Sequence, residues 1–237
     1  MDKKSKRGPL ILSSAILLLG IIALALTLVL HQPVAAKHAT IPKKIAVSSS
    51  QPLLPTFDAL MGSRIHTQAL PVIGAITVPE AKVNLPIFLG DAEKQITYGA
   101  GTVSPTAKMG AGNYSLASHH VFDIAGADSY LFSPLTAAKV GMMIDTTDGQ
   151  KVYEYKITGI TQVPNTDGSV LNPVKGKTLL TLIYCLNLTG PTRVIVRAEL
   201  VKSEDFQKTT PAIQAAFAAP WNQVPSSQLS ELGVDLS

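Results

Sequence analysis

Leu179-Leu180-Thr181-Leu182-Ile183-Tyr184-Cys185 is an apolar, β-prone run closed by the only cysteine in 237 residues. Arg193 stands eight residues past that cysteine and opens a second β-prone run, Arg193-Val194-Ile195-Val196-Arg197. With the two runs as neighbouring antiparallel strands, residues 186–191 connect them and Cys185 faces Arg193. Arg197 then lies four residues further along, about 13 Å away at 3.3 Å per residue. A thiol of ordinary pKa, about 8.5, is mostly protonated at neutral pH and needs a cationic neighbour to act as a nucleophile. Three of the five histidines, His31, His38 and His66, lie at or before the domain entrance. That leaves the pair His119-His120, at the end of another β-prone run. A fixed donor such as Arg193 would lower the barrier of an acyl transfer by meeting the developing oxyanion. The rival reading takes the same residues as a packed thiol, two solvated histidines and an edge-blocking arginine.

Outward from this stretch, short β-prone runs recur with Gly, Pro, Asn or Asp between them. Strands are expected at 72–78, 83–88, 114–119, 140–145, 151–163, 178–185 and 192–202. In the run from Lys151, Tyr153, Tyr155 and Ile157 alternate with Glu154, Lys156 and Thr158, a period of two. Thr147-Asp148-Gly149-Gln150 reads as a hairpin turn. Long helical patterns are absent; Pro134 to Val140 and Ala81 to Leu85 suit at most a helical turn or two. Ile96-Thr97-Tyr98 is too short to assign. Many short strands between turn signals predict an all-β sandwich or barrel. After it, Thr210-Pro211 offers an N-cap and a first-position proline, and Ile213, Ala216 and Phe217 form one apolar face. A short helix ending near Pro220 is expected, with Trp221 packing it on the barrel and a frayed end after Asn222.

The N-terminal third has a different character. Pro9 to Leu30 carries no charge, and a helix of that length spans a hydrocarbon core of about 30 Å. A signal-peptide apolar region is shorter, about 7–15 residues. The expectation is a cytoplasmic stub at 1–8, an uncleaved transmembrane signal-anchor over 9–31, and the remainder outside the cell. Cleavage near Val34-Ala35-Ala36 is the alternative. Residues 32–66 are rich in Pro, Ser, Ala and Thr and read as an extracellular spacer. The folded domain is expected at 67–203 and a tail with a short helix at 204–237. Lys3, Lys4, Lys6 and Arg7 against Asp2 account for most of the formal charge of +4. The folded part is therefore close to neutral, which argues against a nucleic-acid-binding face.

The motifs Tyr114-Ser115-Leu116-Ala117-Ser118-His119-His120, Leu131-Phe132-Ser133-Pro134-Leu135, Thr181-Leu182-Ile183-Tyr184-Cys185 and Arg193-Val194-Ile195-Val196 resemble, in order and spacing, those of the class A sortases. These are membrane-anchored cysteine transpeptidases of Gram-positive bacteria. The resemblance runs from about Pro71 to Lys202. It implies a closed eight-stranded β-barrel with short helices. It also implies cleavage of a Leu-Pro-x-Thr-Gly (LPXTG) sorting signal between Thr and Gly through a thioester. The acyl group then passes to an amine of lipid II or peptidoglycan. The family's nucleophile falls on Cys185, its arginine on Arg193, and its histidine, which follows an Ala-Gly or Ala-Ser pair, on His119 rather than His120. Ala117, Ser118, Val170, Leu171, Thr181 and Ile183 are implied to face the substrate. Thr181, Ile183 and Cys185 also share one strand face by the period of two.

Two departures stand out. Tyr184 occupies a position where the family usually has Thr, and it should point away from the face of Cys185. No Asp or Glu lies between Glu93 and Asp123, and Asn172-Pro173 follow Leu171. The acidic calcium ligands of the best-known member therefore have no counterpart, and neither metal nor cofactor is expected. Two other readings are an L,D-transpeptidase-like exported cysteine enzyme and an anchored β-domain that only binds a partner. The first expects a Ser- or Gly-rich stretch before the cysteine, which 179–184 lacks. The second expects an inert, buried Cys185.

Overall fold

The computed structural model describes residues 70–186 and 190–232. The transmembrane segment, the stub and the whole of the spacer expected from the sequence lie outside these residues. Among the described residues no helix is long and apolar enough to cross a membrane.

Eight strands close into one barrel in the order β1-β2-β3-β4-β7-β8-β6-β5. Their ranges are β1 Val72–Val78, β2 Val83–Phe88, β3 Ala100–Thr102, β4 Asn113–Ala117, β5 Met143–Thr147, β6 Lys151–Pro164, β7 Leu179–Cys185 and β8 Thr192–Asp205. β2 pairs with β3, and β4 with β7, in parallel; the other pairings are antiparallel. The closed eight-stranded barrel expected above is the fold observed. Closure gives every strand a neighbour on both sides.

The barrel interior is filled by one face of each strand. Ile76, Leu85, Leu116, Ile144, Tyr155, Leu180, Leu182 and Val196 are essentially inaccessible to solvent. Burying each such side chain stabilises the fold by about 1.5–3 kcal/mol. On β7 the inward residues are Leu180, Leu182 and Tyr184, all in this core. Thr181, Ile183 and Cys185 therefore lie on the outer face. That alternation makes Cys185 available to a ligand outside the barrel while Tyr184 helps to fill it.

Where the strands differ from expectation, local physics explains it. The alternation of Tyr153, Tyr155 and Ile157 is interrupted, because β6 has register shifts at Glu154/Tyr155 and Ile157/Gly159. Tyr155 and Ile157 are buried, but so is Val152, while Tyr153 is only half-buried and its hydroxyl donates to Asp148 Oδ2 at 3.1 Å. The expected strand at 140–145 begins instead at Met143, after a turn in which the Met142 amide donates to the Lys139 carbonyl and Gly141 takes φ +99°. The expected strand at 114–119 ends its ladder at Ala117, and His119-His120 lie just beyond it. Ile96-Thr97-Tyr98 belongs to a short helix, α1, Glu93–Tyr98.

The tail is more ordered than its composition suggests. Thr210 caps helix α2, Pro211–Ala218, by accepting from the Ile213 amide. Phe217 packs on Phe206 and Val152 in a second cluster that Ile213 and Trp221 join. Over 223–232, where the sequence leads one to expect a frayed end, the chain is packed: Val224 is buried, and helix α3, Ser226–Leu229, buries Leu229. The Asn222 side chain accepts from the Asn84 amide at 2.7 Å and donates to the Leu131 carbonyl at 2.8 Å.

Candidate active site

β7 is the axis of the site, with β4 parallel on one side and β8 antiparallel on the other. In the β7–β8 register Cys185 stands directly opposite Arg193, and Thr181 opposite Arg197. Directly opposed residues share a face and approach within about 5.5 Å. Arg193 is therefore on the face of Cys185, as the eight-residue spacing predicts. In the β4–β7 register Ala117 pairs with Ile183. The Ser118 amide extends that ladder by donating to the Ile183 carbonyl at 3.2 Å. Two residues past Ala117 comes His119, and two past Ile183 comes Cys185. Both histidines follow the end of β4, beside the end of β7 that carries the thiol.

The two imidazoles make different contacts. His119 Nε2 lies 3.0 Å from Glu93 Oε1, an ion pair once the ring is protonated. Its ring is partly open to solvent, and its carbonyl accepts from the Phe132 amide at 3.0 Å. His120 Nδ1 lies 3.2 Å from the Cys185 carbonyl oxygen. The His120 ring meets Tyr184 edge-on, with centroids 6.0 Å apart, and leans on Phe122 at 4.4 Å. His120 is thus built into the wall behind the thiol. Tyr184, displaced inward, has its phenol pKa pushed up by burial. An isolated bridge between His120 and Leu131 ties this segment to the Leu131–Leu135 motif.

Cys185 is half-buried and unpaired. The Arg193 guanidinium lies along the β7–β8 connection, where Nη1 donates to the Thr192 carbonyl at 3.1 Å and the Gly190 carbonyl at 3.4 Å. A side chain held by main-chain carbonyls at a strand end can turn to an incoming oxyanion without leaving a charge partner behind.

The remaining positions expected to face a substrate fall into two sets. Ala117 and Ile183 are half-exposed on the outer face, and Val170 and Leu171 are half-exposed on a 3-10 turn, Gly168–Leu171, in the β6–β7 segment. Ser118 and Thr181 are buried. Ser118 Oγ donates to the carbonyls of Gly99 at 2.6 Å and Ile96 at 3.2 Å, fastening the end of α1 beneath His119. Thr181 Oγ1 donates to Asn113 Oδ1 at 2.7 Å. Both are thus hydrogen-bonded within the protein rather than open to a ligand. Sequence reasoning missed Glu93 and Asn113, because each meets its partner only through pairing of segments far apart in the chain. Asn113 opens β4 with no motif of its own.

The family model for the sortase domain matches residues 76–201. Sortase A of Streptococcus agalactiae serotype III (strain NEM316) is 41% identical over 168 residues, 70% of this chain and 68% of that protein. Sortase A of Listeria monocytogenes serovar 1/2a (strain EGD-e) is 35% identical over 156 residues, 65% of this chain and 68% of that protein. The solved structure of Listeria monocytogenes sortase A superposes with a TM-score of 0.57 at 34% identity, covering 62% of this chain and 98% of that one. With its barrel order, its parallel β4–β7 pair and a lone cysteine opposed to an arginine, the chain belongs to the sortase family and falls with its sortase A members.

Proposed function

We propose that the chain is a membrane-anchored cysteine transpeptidase that cleaves LPXTG-type sorting signals between Thr and Gly and transfers the new acyl group to a cell-wall precursor amine. The observation that carries this reading is the β7–β8 register, which sets Cys185 opposite Arg193, with His119 two residues beyond the Ala117 that pairs with Ile183. The half-burial of Cys185 supports it further, since an inert packing thiol on β7 would sit inward with Leu182.

In the mechanism the Cys185 thiolate attacks the Thr carbonyl carbon and a C–S bond forms. The carbonyl π electrons move to oxygen, and Arg193 donates to that oxyanion. Collapse re-forms the carbonyl and breaks the C–N bond. His119, protonated, gives its proton to the leaving Gly amine. The thioester is then attacked by the acceptor amine, His119 takes up the amine's proton, and the thiolate is released. Ala117, Ile183, Val170 and Leu171 contact the signal. The uncharged run 9–30 behind a basic stub supports a single membrane pass with the barrel outside the cell.

The test is incubation of the full chain in detergent with a Leu-Pro-x-Thr-Gly peptide library and an amine acceptor, read by mass spectrometry. The expected products are a Gly-terminated fragment, an acyl adduct on Cys185 and an acceptor-linked peptide. Intact peptides with no adduct on Cys185 would overturn the reading.

A further inference from the structure

The Val170 carbonyl oxygen accepts two side-chain hydrogen bonds from two different strands. Asn113 Nδ2 of β4 donates at 2.9 Å, and Arg197 Nη2 of β8 donates at 2.7 Å. Asn113 also reaches the Asn172 carbonyl at 3.3 Å, and its own Oδ1 is fixed by the Thr181 hydroxyl of β7 at 2.7 Å. Three adjacent strands thus grip one peptide unit of the β6–β7 segment. That segment has few ties of its own at this point: Asp167 Oδ1 accepts from the Ser169 amide and hydroxyl, and the Asn172 amide donates to the Ser169 carbonyl. Val170 and Leu171 are only half-buried, so little core packing holds them.

We propose that Asn113, Thr181 and Arg197 form a clasp on the Val170 carbonyl that sets the depth and shape of the groove, with Arg197 a positioning residue for substrate selection. The inference rests on the sortase reading above and adds to it a role for the second arginine of β8. The register keeps the two arginines apart. Arg193 opposes Cys185, whereas Arg197 opposes Thr181, about 13 Å along the strand. A Thr carbonyl at Cys185 puts the Leu of Leu-Pro-x-Thr three residues upstream, about 10 Å away in an extended peptide. That distance falls within the clasped end of the groove. A loosened Val170 therefore alters recognition of the Leu-Pro end and leaves the reacting atoms in place. A doubly accepting carbonyl also explains why Arg suits position 197: its planar fork holds direction better than a Lys ammonium does.

The test compares Arg197→Met, which keeps stem packing but removes the donor, with Arg197→Lys and with Asn113→Asp, which keeps the acceptor for Thr181 but cannot donate to Val170. Each full-length variant in detergent is assayed with a Leu-Pro-x-Thr-Gly peptide and with peptides altered at Leu or Pro. Alkylation of Cys185 by iodoacetamide and amide hydrogen exchange over 168–172 are measured in parallel. Arg197→Met and Asn113→Asp are each expected to raise KM about tenfold, the equivalent of one hydrogen bond, with kcat within about threefold. Discrimination against the altered peptides should fall, exchange over 168–172 should quicken, and alkylation should stay at the wild-type rate. Arg197→Lys should recover a substantial part of the KM. Unchanged KM and exchange in both donor-deleted variants overturn the clasp. So does a parallel fall of kcat and alkylation without rescue by Lys, which marks general loss of structure. A wild type that cleaves no such peptide defeats the sortase reading and the substrate half of this inference together, while exchange still reports on the clasp.

Discussion

The two ends of the β7–β8 ribbon have the same design and opposite consequences. At one end Cys185 faces Arg193, and at the other Thr181 faces Arg197; both pairs lie on the outer face. At the Thr181 end the polar side chains tie separate segments together, with Thr181 bonded to Asn113 and Arg197 to Val170. At the Cys185 end the thiol is half-buried, and the arginine makes only two longer bonds to the adjoining main chain. Identical placement by the sheet gives a fixed wall where side chains bond across distant segments and a reactive centre where the arginine bonds only the main chain beside it. An arginine on a strand is therefore read by what already occupies its donors.

The largest way to break this contrast is Cys185→Ala. Cleavage and transfer should both vanish, measured as loss of the acyl adduct and of the acceptor-linked product, while thermal unfolding changes little. Residual turnover in that variant would remove the reactive end from the comparison altogether. Arg193→Ala comes next. Loss of one oxyanion donor costs about 10²–10³ in kcat. Steady-state kinetics should show a fall of that size with a modest change in KM, the reverse of the pattern expected of Arg197→Met. If Arg193→Ala behaved as Arg197→Met does, the two ends would be equivalent and the contrast would collapse.

Much of this contrast was legible in the sequence, and the parts that were not have physical causes. Cys185 and Arg193 are brought together by a short connection between adjacent strands, so eight residues of spacing suffice to pair them. Val83–Phe88 and Val72–Val78 are β-prone throughout and fold where expected. Ala100-Gly101-Thr102 carries no such signal, yet it forms β3. Its glycine is needed because a Cβ at Gly101 would collide with the Gly90 carbonyl. The Glu93–His119 and Asn113–Thr181 contacts were invisible for another reason. The first depends on α1 being fastened to the end of β4 through Ser118, and the second on a parallel β4–β7 pairing with two strands intervening in sequence, Asn113 and Thr181 being 68 residues apart. No local pattern encodes such a meeting. The tail misled through its polar composition: Gln223 donates to the Tyr98 carbonyl and Gln228 to that of Ala125, so polar residues there fasten the chain.

Tyr184 sharpens the comparison from behind the sheet. Its inward position sets it apart from the outer-face chemistry, although it adjoins Cys185 in sequence. Tyr184→Thr restores the residue common in related proteins but empties a filled part of the core. Destabilisation of about 2–4 kcal/mol is expected, in the range of large-to-small core changes. At temperatures well below unfolding, kcat should stay within several-fold of wild type. Chemical denaturation and steady-state kinetics on the same preparation separate the two effects. A loss of kcat as large as that of Arg193→Ala, with stability intact, would place Tyr184 in the reactive end and redraw the boundary.

The smallest expected effect on activity comes from a group that belongs to neither end. Asp145 of β5 is buried opposite Glu154 of β6, a cross-strand pair of like charges. Burial, with Glu154 adding to it, raises the Asp145 pKa to about 7. An unfolded Asp titrates near 3.9. The folded pKa is the higher one, so the folded state binds the proton more tightly. This contribution to stability is complete below about pH 4 and is lost as the pH rises through about 7. Asp145→Asn removes the ionisation and keeps the shape. It should match wild type near pH 4 and exceed it by on the order of 2–4 kcal/mol above pH 8, measured by denaturant unfolding across the pH range. The pH profile of kcat should be unchanged, because the proposed reacting groups, His119 just past β4 and Cys185 at the end of β7, do not belong to the β5–β6 wall. A variant whose rate profile moved together with its stability profile would show that the two walls of the barrel titrate as one unit. A variant whose stability alone moved would confine the pH sensitivity of folding to the β5–β6 wall and that of catalysis to the Cys185 end.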